Sequence, residues 1–167
     1  MVVRFKTPGE RPVRPAVRVI VVDPSKDMVL LCKRLCKRTG ALISYDFPGG
    51  GIETDESIEA AAIKECLEEV GVRVRDPKPL DVVATYPFDP KGGDWYYIYS
   101  GGMDHYVLAT FETYDSTKFH IEGDSMPYDW VPLTDVVQMI KDGPDCPSNP
   151  TRLKALDKVV KMFTVYG

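Results

Sequence analysis

Between Gly50 and Val72 the chain sets seven carboxylates, Glu53, Asp55, Glu56, Glu59, Glu65, Glu68 and Glu69, against a single base, Lys64. From Ser57 to Val70 the periodicity is helical. Ile63, Leu67 and Val70 recur at i, i+4 and i+7, Ala60 to Ala62 are strong helix formers, and Gly71 is a fitting stop. Asp55 or Ser57 is placed to cap the start. On such a helix Glu65, Glu68 and Glu69 share one face, with neighbouring Cβ atoms about 5–6 Å apart. Like charges at that spacing destabilise an isolated helix. A divalent cation reverses the sign of the effect, because clustered hard oxygen ligands are what Mg²⁺ binds. The face formed by Ile63, Leu67 and Val70 is expected to pack into the core and hold the carboxylates rigid. Just upstream, Pro48-Gly49-Gly50-Gly51 interrupts regular structure and lets backbone approach a ligand closely.

An acidic helix is ordinarily just a solvated face, but the spacing here decides otherwise. Gly50-x5-Glu56-x7-Lys64-Glu65-Cys66-x-Glu68-Glu69-x-Gly71-Val72 closely resembles the Nudix box, in which the family has Arg where Lys64 stands. Six fixed positions match by chance roughly once in 10⁷–10⁸ starts at average composition, so chance does not account for the match. The strand carrying Leu30-Leu31-Cys32-Lys33-Arg34, the Phe47-Pro48-Gly49-Gly50 stretch and Trp130-Val131-Pro132-Leu133 before a helix also look Nudix-like.

The resemblance implies an α/β fold, an α/β/α sandwich with a mixed β-sheet between helices. It implies Mg²⁺-dependent (or Mn²⁺-dependent) hydrolysis of a nucleoside diphosphate linked to another moiety. Carried over by position, Glu65, Glu68 and Glu69 are metal ligands, with the Gly49 carbonyl as a further one. Glu65 and Glu69 are the catalytic carboxylates, and Glu65 is the first choice for general base. Because relatives vary in taking this base from a downstream loop, Glu112, Glu122 and Asp124 are the other candidates. Glu56 and Lys64 would buttress the loop and helix. An ammonium lacks the planar fork of a guanidinium, so Lys64 is expected to hold Glu56 more loosely than Arg would.

The remainder of the chain fits one domain over 16–167, preceded by a Pro- and Arg-rich arm over 1–15 that is a candidate for exchange within a homodimer. Strands are expected at Val17–Val21, Met28–Cys32, 80–86, 95–99 and 104–113. Helices are expected over 133–141 and from Asn149-Pro150 to about Phe163. The longest aliphatic run in the N-terminal region, Val19 to Val22, is far short of the roughly 20 residues a membrane helix needs, and the chain reads as soluble and cytoplasmic. Four cysteines without a CxxC pair argue against structural zinc and for reduced, packing thiols.

Net charge is −4, which disfavours a general nucleic-acid binder. The charge is uneven: residues 1–38 hold ten bases against three acids. Within that segment Lys33, Arg34, Lys37 and Arg38 precede the glycine loop, and Arg34 is the candidate for meeting substrate phosphates. Among the aromatics Tyr86, Phe88, Trp95, Tyr96, Tyr97 and Tyr99, the pair Trp95 and Tyr96 is the candidate platform for a nucleobase. Lys91-Gly92-Gly93-Asp94 beside it is a candidate lid. Pro87 lies 15 residues beyond Val72, near where ADP-ribose-cleaving relatives tend to carry a proline, and tilts the substrate toward an ADP-ribose-like compound. The alternatives are an (oxidised) nucleoside triphosphate pyrophosphatase and a non-catalytic nucleotide-binding module.

Overall fold

The computed structural model of the chain describes residues 10–89, 91, 98–115 and 126–165. Its architecture follows from β1 (Val13–Asp23), a strand buried on both faces. Alternation sends Val17, Val19 and Val21 into one apolar cluster and Ile20 and Val22 into another. That is why Val19 to Val22 reads as an unbroken apolar run rather than an alternating one.

Around β1 a seven-stranded mixed sheet is ordered β3-β2-β1-β6-β5, comprising β2 (Met28–Leu35), β3 (Leu42–Asp46), β5 (Val72–Pro87) and β6 (Gly101–Tyr114). Two short strands complete it: β4 (Gly49–Gly51) pairs with β1, and β7 (Tyr128–Pro132) pairs with β2. The β1–β6 pair is parallel and the other pairs are antiparallel. Helix α1 (Ile58–Val70) covers the face of Val17, Val19 and Val21. The opposite face, with Phe47 and Tyr106, is covered by α2 (Leu133–Asp142) and α3 (Asn149–Val165). The result is an α/β/α sandwich.

Helix α1 is capped at both ends by local chemistry. Ser57 is the N-cap, its Oγ accepting the Ala60 N–H at 3.0 Å. Gly71 ends the helix at φ 64°, and its N–H turns back to the carbonyls of Cys66 and Leu67. Of the expected face, Val70 is buried and Leu67 half-buried, but Ile63 is not packed. Ala61, Ala62, Cys66 and Val70 are buried, whereas Ile63 is 42% exposed. Ala61, Ala62, Cys66 and Val70 pack into the cluster of Val17, Val19 and Val21 on the sheet, where small side chains let the helix approach closely. The same rotation brings Glu65 and Glu69, not Leu67, toward the sheet.

The other boundaries differ for identifiable reasons. β1 starts at Val13, pairing with Gly101, so it reaches back into the segment expected as an arm. β5 begins at Val72, eight residues before the expected strand, although Asp76-Pro77-Lys78-Pro79 reads as a breaker. It lies at the sheet edge beside β6 alone, where prolines leave no ladder partner unpaired. Its register slips between Arg75 and Lys78 and between Pro79 and Val83, where Asp76 and Asp81 take positive φ. The expected strand over 95–99 lies mostly outside the described residues.

The two helix faces predict different mutational costs. Ala62→Leu overpacks the apolar cluster beneath α1 and is expected to cost about 1–3 kcal/mol in urea unfolding. Ile63→Ala is expected to cost less than about 1 kcal/mol. The reverse ranking would restore the Ile63 face as the packed one.

Candidate functional site

Register sets the chemistry of the glycine strand. Val19 N–H donates to the Pro48 carbonyl at 2.8 Å and Ile52 N–H to the Pro15 carbonyl at 2.9 Å. In the same antiparallel register Arg18 faces Gly49 across a non-hydrogen-bonded pair. The N–H and C=O of Gly49 therefore point away from β1, and the N–H donates to Glu69 Oε2 at 3.1 Å. A Cβ at Gly49 would collide with the Val17 carbonyl, and one at Gly50 would collide with the Glu65 carboxylate. The missing Cβ of Gly49 thus lets β4 close on β1, the missing Cβ of Gly50 admits the Glu65 carboxylate to the backbone, and Glu69 meets the strand at the Gly49 N–H.

Burial alters both acids. It pushes the Glu69 carboxyl up to about 7, against the opposing pull of the Gly49 N–H and the Arg18 charge. Burial also raises Glu65, helped by Glu68 and opposed by Lys64. Glu68 is exposed on the same helix. Among the described residues no Lys or Arg forms an ion pair with Glu68 or Glu69. Nor, among them, do three His, Cys, Asp or Glu side chains converge on one point. The carboxylates form an open oxygen-rich face, and Mg²⁺ characteristically completes such a set with water and substrate phosphate.

Lys64 braces the loop before this helix. Its Nζ donates to Glu56 Oε1 at 3.0 Å and Oε2 at 2.8 Å, and lies 3.7 Å from Glu53 and 3.8 Å from Glu65. The contact is two-pronged although the ammonium lacks a guanidinium's planar fork. The flexible stem lets the ammonium straddle both carboxylate oxygens, and the two other acids add to its hold. Glu56 in turn accepts the Glu53 N–H at 3.3 Å.

Beside Gly49 lies a cavity of about 490 Å³ whose lining includes Arg18, Arg34, Ile43 and Tyr86. Its floor is a buried charge network. Arg18 Nε donates to Asp104 Oδ2 at 3.1 Å, and the Tyr86 hydroxyl donates to Asp104 Oδ1 at 3.0 Å. Asp46 is 3.2 Å from Arg152, 3.7 Å from Arg34 and 4.0 Å from Arg18. Burial opposes the Arg18 charge, but Asp46 and Asp104 outweigh it and hold the guanidinium protonated. Of the four bases expected near phosphates, Arg34 lines this cavity, Lys33 pairs with Asp129 at 2.7 Å, and Lys37 and Arg38 are exposed at the β2–β3 turn. Pro87 also lines the cavity.

Trp95, Tyr96, most of the expected lid, Glu122 and Asp124 lie outside the described residues. Glu112 is exposed on β6, and no described contact brings it to Glu65. Sequence reasoning missed Arg18, Asp46, Asp104 and Arg152. Arg18 occupies a polar step in the Val17-Val19-Val21 alternation, which reads as an outward-facing position. Its partner Asp104 is 86 residues away.

An acidic helix laid on a glycine strand near a cavity with Arg18 and Arg34 in its lining offers hard oxygens for a divalent ion and guanidinium groups for phosphate. The chain matches the NUDIX domain family model over residues 12–152, and it belongs to the Nudix hydrolase family. It is similar to the RNA pyrophosphohydrolase of Campylobacter jejuni, 28% identical over 95% of this chain and 97% of the relative. It is also similar to the mitochondrial Nudix hydrolase 17 of Arabidopsis thaliana, 38% identical over 41% of this chain and 30% of that one. Among solved structures, an ADP compounds hydrolase superposes with TM-score 0.66 at 22% identity, covering 95% of this chain and 77% of that one. A NUDIX hydrolase from Nitrosomonas europaea gives 0.63 at 16%, covering 89% of each. These structures share the fold. The chain is a pyrophosphohydrolase, of a family that generally uses divalent metal ions.

The raised Glu69 pKa has a stability consequence with a definite sign. Between pH 4.5 and about 7 the folded protein retains a proton that the unfolded chain releases, so metal-free stability falls as pH rises through that window. Glu69→Gln is expected to stabilise the metal-free protein at pH 8 by about 1–3 kcal/mol and to flatten the decline. Unfolding midpoints of both proteins at pH 5 and pH 8 check it, and a destabilised Gln variant at pH 8 would contradict it.

Proposed function

We propose that this chain hydrolyses the diphosphate of a nucleoside diphosphate linked to a second moiety, an ADP-ribose-like compound being the best single substrate. The products are a nucleoside monophosphate and a phosphorylated partner. The observation that carries this reading is the seating of Glu65 and Glu69 on Gly50 and Gly49, next to a cavity whose lining includes Arg34. The donor set of Glu65, Glu68, Glu69 and the outward Gly49 carbonyl fits Mg²⁺ or Mn²⁺, because all are hard oxygens and two are withdrawn from bulk water. When bound, such an ion neutralises diphosphate charge and activates water.

The protein's own groups do the rest. The 490 Å³ cavity receives the nucleoside half, with Arg34 toward its phosphate and Ile43 and Pro87 offering apolar surface. Arg18 ties the cavity floor to the strand that seats Glu69. Glu65 takes the proton of the attacking water; a P–O bond forms as the bridging P–O bond breaks, and the second phosphate leaves with the bridging oxygen.

The name of the Campylobacter jejuni relative favours a second reading, removal of pyrophosphate from a 5′-triphosphate end. The exposed Lys37 and Arg38 at the β2–β3 turn also support it.

Chromatography and mass spectrometry of products distinguish the readings. Purified protein with Mg²⁺ would be offered ADP-ribose, NADH, diadenosine polyphosphates, nucleotide sugars, coenzyme A, common and 8-oxo nucleoside triphosphates and triphosphate-ended RNA. A monophosphate plus a phosphorylated partner is the expected result. Pyrophosphate release in preference would establish the second reading. With the best substrate, Glu68→Gln and Glu65→Gln are each expected to lower kcat by at least about a hundredfold without unfolding the protein. Full activity in either variant would remove that residue from the site.

A further inference from the structure

The first cavity meets the glycine strand at Gly49, through Arg18. A second, of about 560 Å³, meets it at Gly51. Its lining includes Arg14, Ile52, Glu53, Thr54, Glu65 and Tyr99. Arg14 is half-buried, and its guanidinium lies directly over Gly51, where a Cβ would collide with it. It is close enough to Glu65 to lower that carboxyl's pKa against the effect of burial. Arg14 and Arg18 have the same parity on β1 and leave the strand on the same face, four residues or about 13 Å apart.

Three consecutive glycines therefore seat three groups in order: Glu69 at Gly49, Glu65 at Gly50 and Arg14 at Gly51. The carboxylates stand in the middle, with a cavity at each end, Arg18 and Arg34 lining the first and Arg14, beside Glu53 and Glu65, lining the second. Among the residues named for the second cavity Arg14 is the cation, and Glu53, Thr54 and Tyr99 supply carboxylate and hydroxyl groups. A phosphate bearing a hydroxylated organic group matches that combination: Arg14 answers the phosphate, and the polar side chains answer hydroxyls.

We propose that the second cavity binds the half of the substrate that leaves, a sugar-like moiety carrying the second phosphate, and that Arg14 holds that phosphate. This rests on the reading of the substrate as a two-part nucleoside diphosphate. The order along the strand then assigns each product to a cavity: the nucleoside monophosphate to the side of Arg18 and Arg34, and the sugar phosphate to the side of Arg14. Pyrophosphate, the leaving group of a triphosphate, shares the phosphate chemistry but has no hydroxylated group for Thr54.

Calorimetric titration of the full-length protein in Mg²⁺ with each product half tests the assignment without turnover. The probes are ribose 5-phosphate, AMP and pyrophosphate. Arg14→Gln is expected to weaken ribose 5-phosphate at least tenfold and leave AMP within twofold, and Arg14→Lys to restore most of the loss. Gly51→Ala, which displaces the guanidinium while touching only the end of a flexible side chain, is expected to reproduce the loss. Thr54→Val is expected to weaken ribose 5-phosphate and spare pyrophosphate. Equal weakening of AMP and ribose 5-phosphate by Arg14→Gln would overturn the assignment, as would ribose 5-phosphate binding that Arg14→Gln leaves unchanged or that wild type lacks. Pyrophosphate bound more tightly than ribose 5-phosphate and insensitive to Thr54→Val would overturn the sugar-like part. Because neither half is turned over, a wild type that binds them as expected yet cleaves no two-part substrate would defeat the proposed function and leave the cavity assignment standing.

Discussion

The missing Cβ atoms of Gly49 and Gly50 are the constraint on which the rest depends. The first lets β4 pair closely with β1 at Val17, and the second lets the Glu65 carboxylate rest against the strand, while Glu69 meets the Gly49 N–H instead of reaching into water. Close packing of this kind is unforgiving, since protein interiors hold few voids that could absorb an added carbon. The capped ends of α1, at Ser57 and Gly71, fix its length so that Glu65 and Glu69 meet the strand in register. The Lys64 clamp on Glu56, Glu53 and Glu65 then ties the preceding loop to the same helix.

Withdrawing two carboxylates from water costs stability, which the upward shift of Glu69 records. The cost is partly offset by the Gly49 N–H and by Arg18. Arg18 is itself held by Asp46 and Asp104 on the cavity floor, so the acid site and the cavity share one electrostatic network. Breaking a buried pair of this sort leaves an uncompensated charge and is far more damaging than losing a surface pair. The floor of the cavity is held by the attraction of Asp46 and Asp104 for the arginines around them, and it is linked to the carboxylates through the pairing of β1 with β4, where Arg18 faces Gly49.

What the sequence made legible was local. The helix from Ser57 to Gly71, its caps and the three glutamates are contiguous and encoded within a few residues of themselves, whereas Gly49–Gly51, expected to interrupt regular structure, forms β4 because β1 pairs with it across about 30 residues of chain. The face of α1 was misread because hydrophobicity ranks Ile63 and Leu67 above alanine, whereas a close helix–strand approach selects for size. β5 was misread over 72–79 because Pro77 and Pro79 are breakers in a central strand but tolerable at an edge, and edge position is a property of the assembled sheet. The charge network was illegible because Arg18, Asp46, Asp104 and Arg152 come from β1, β3, β6 and α3, and nothing local marks them as partners. Arg14 was hidden for the same reason: its role is defined by Gly51, on a strand 37 residues further along the chain.

The central claim is that the α1 carboxylates, seated on the glycine strand, form the ion site for diphosphate cleavage. Titration of Mn²⁺ into the purified protein, with free ion read by electron paramagnetic resonance, tests it most directly. The account predicts saturable binding in wild type that weakens at least tenfold in Glu65→Gln and in Glu69→Gln, each variant remaining folded by circular dichroism. Binding that both variants retain at wild-type strength would contradict it and place the ion elsewhere.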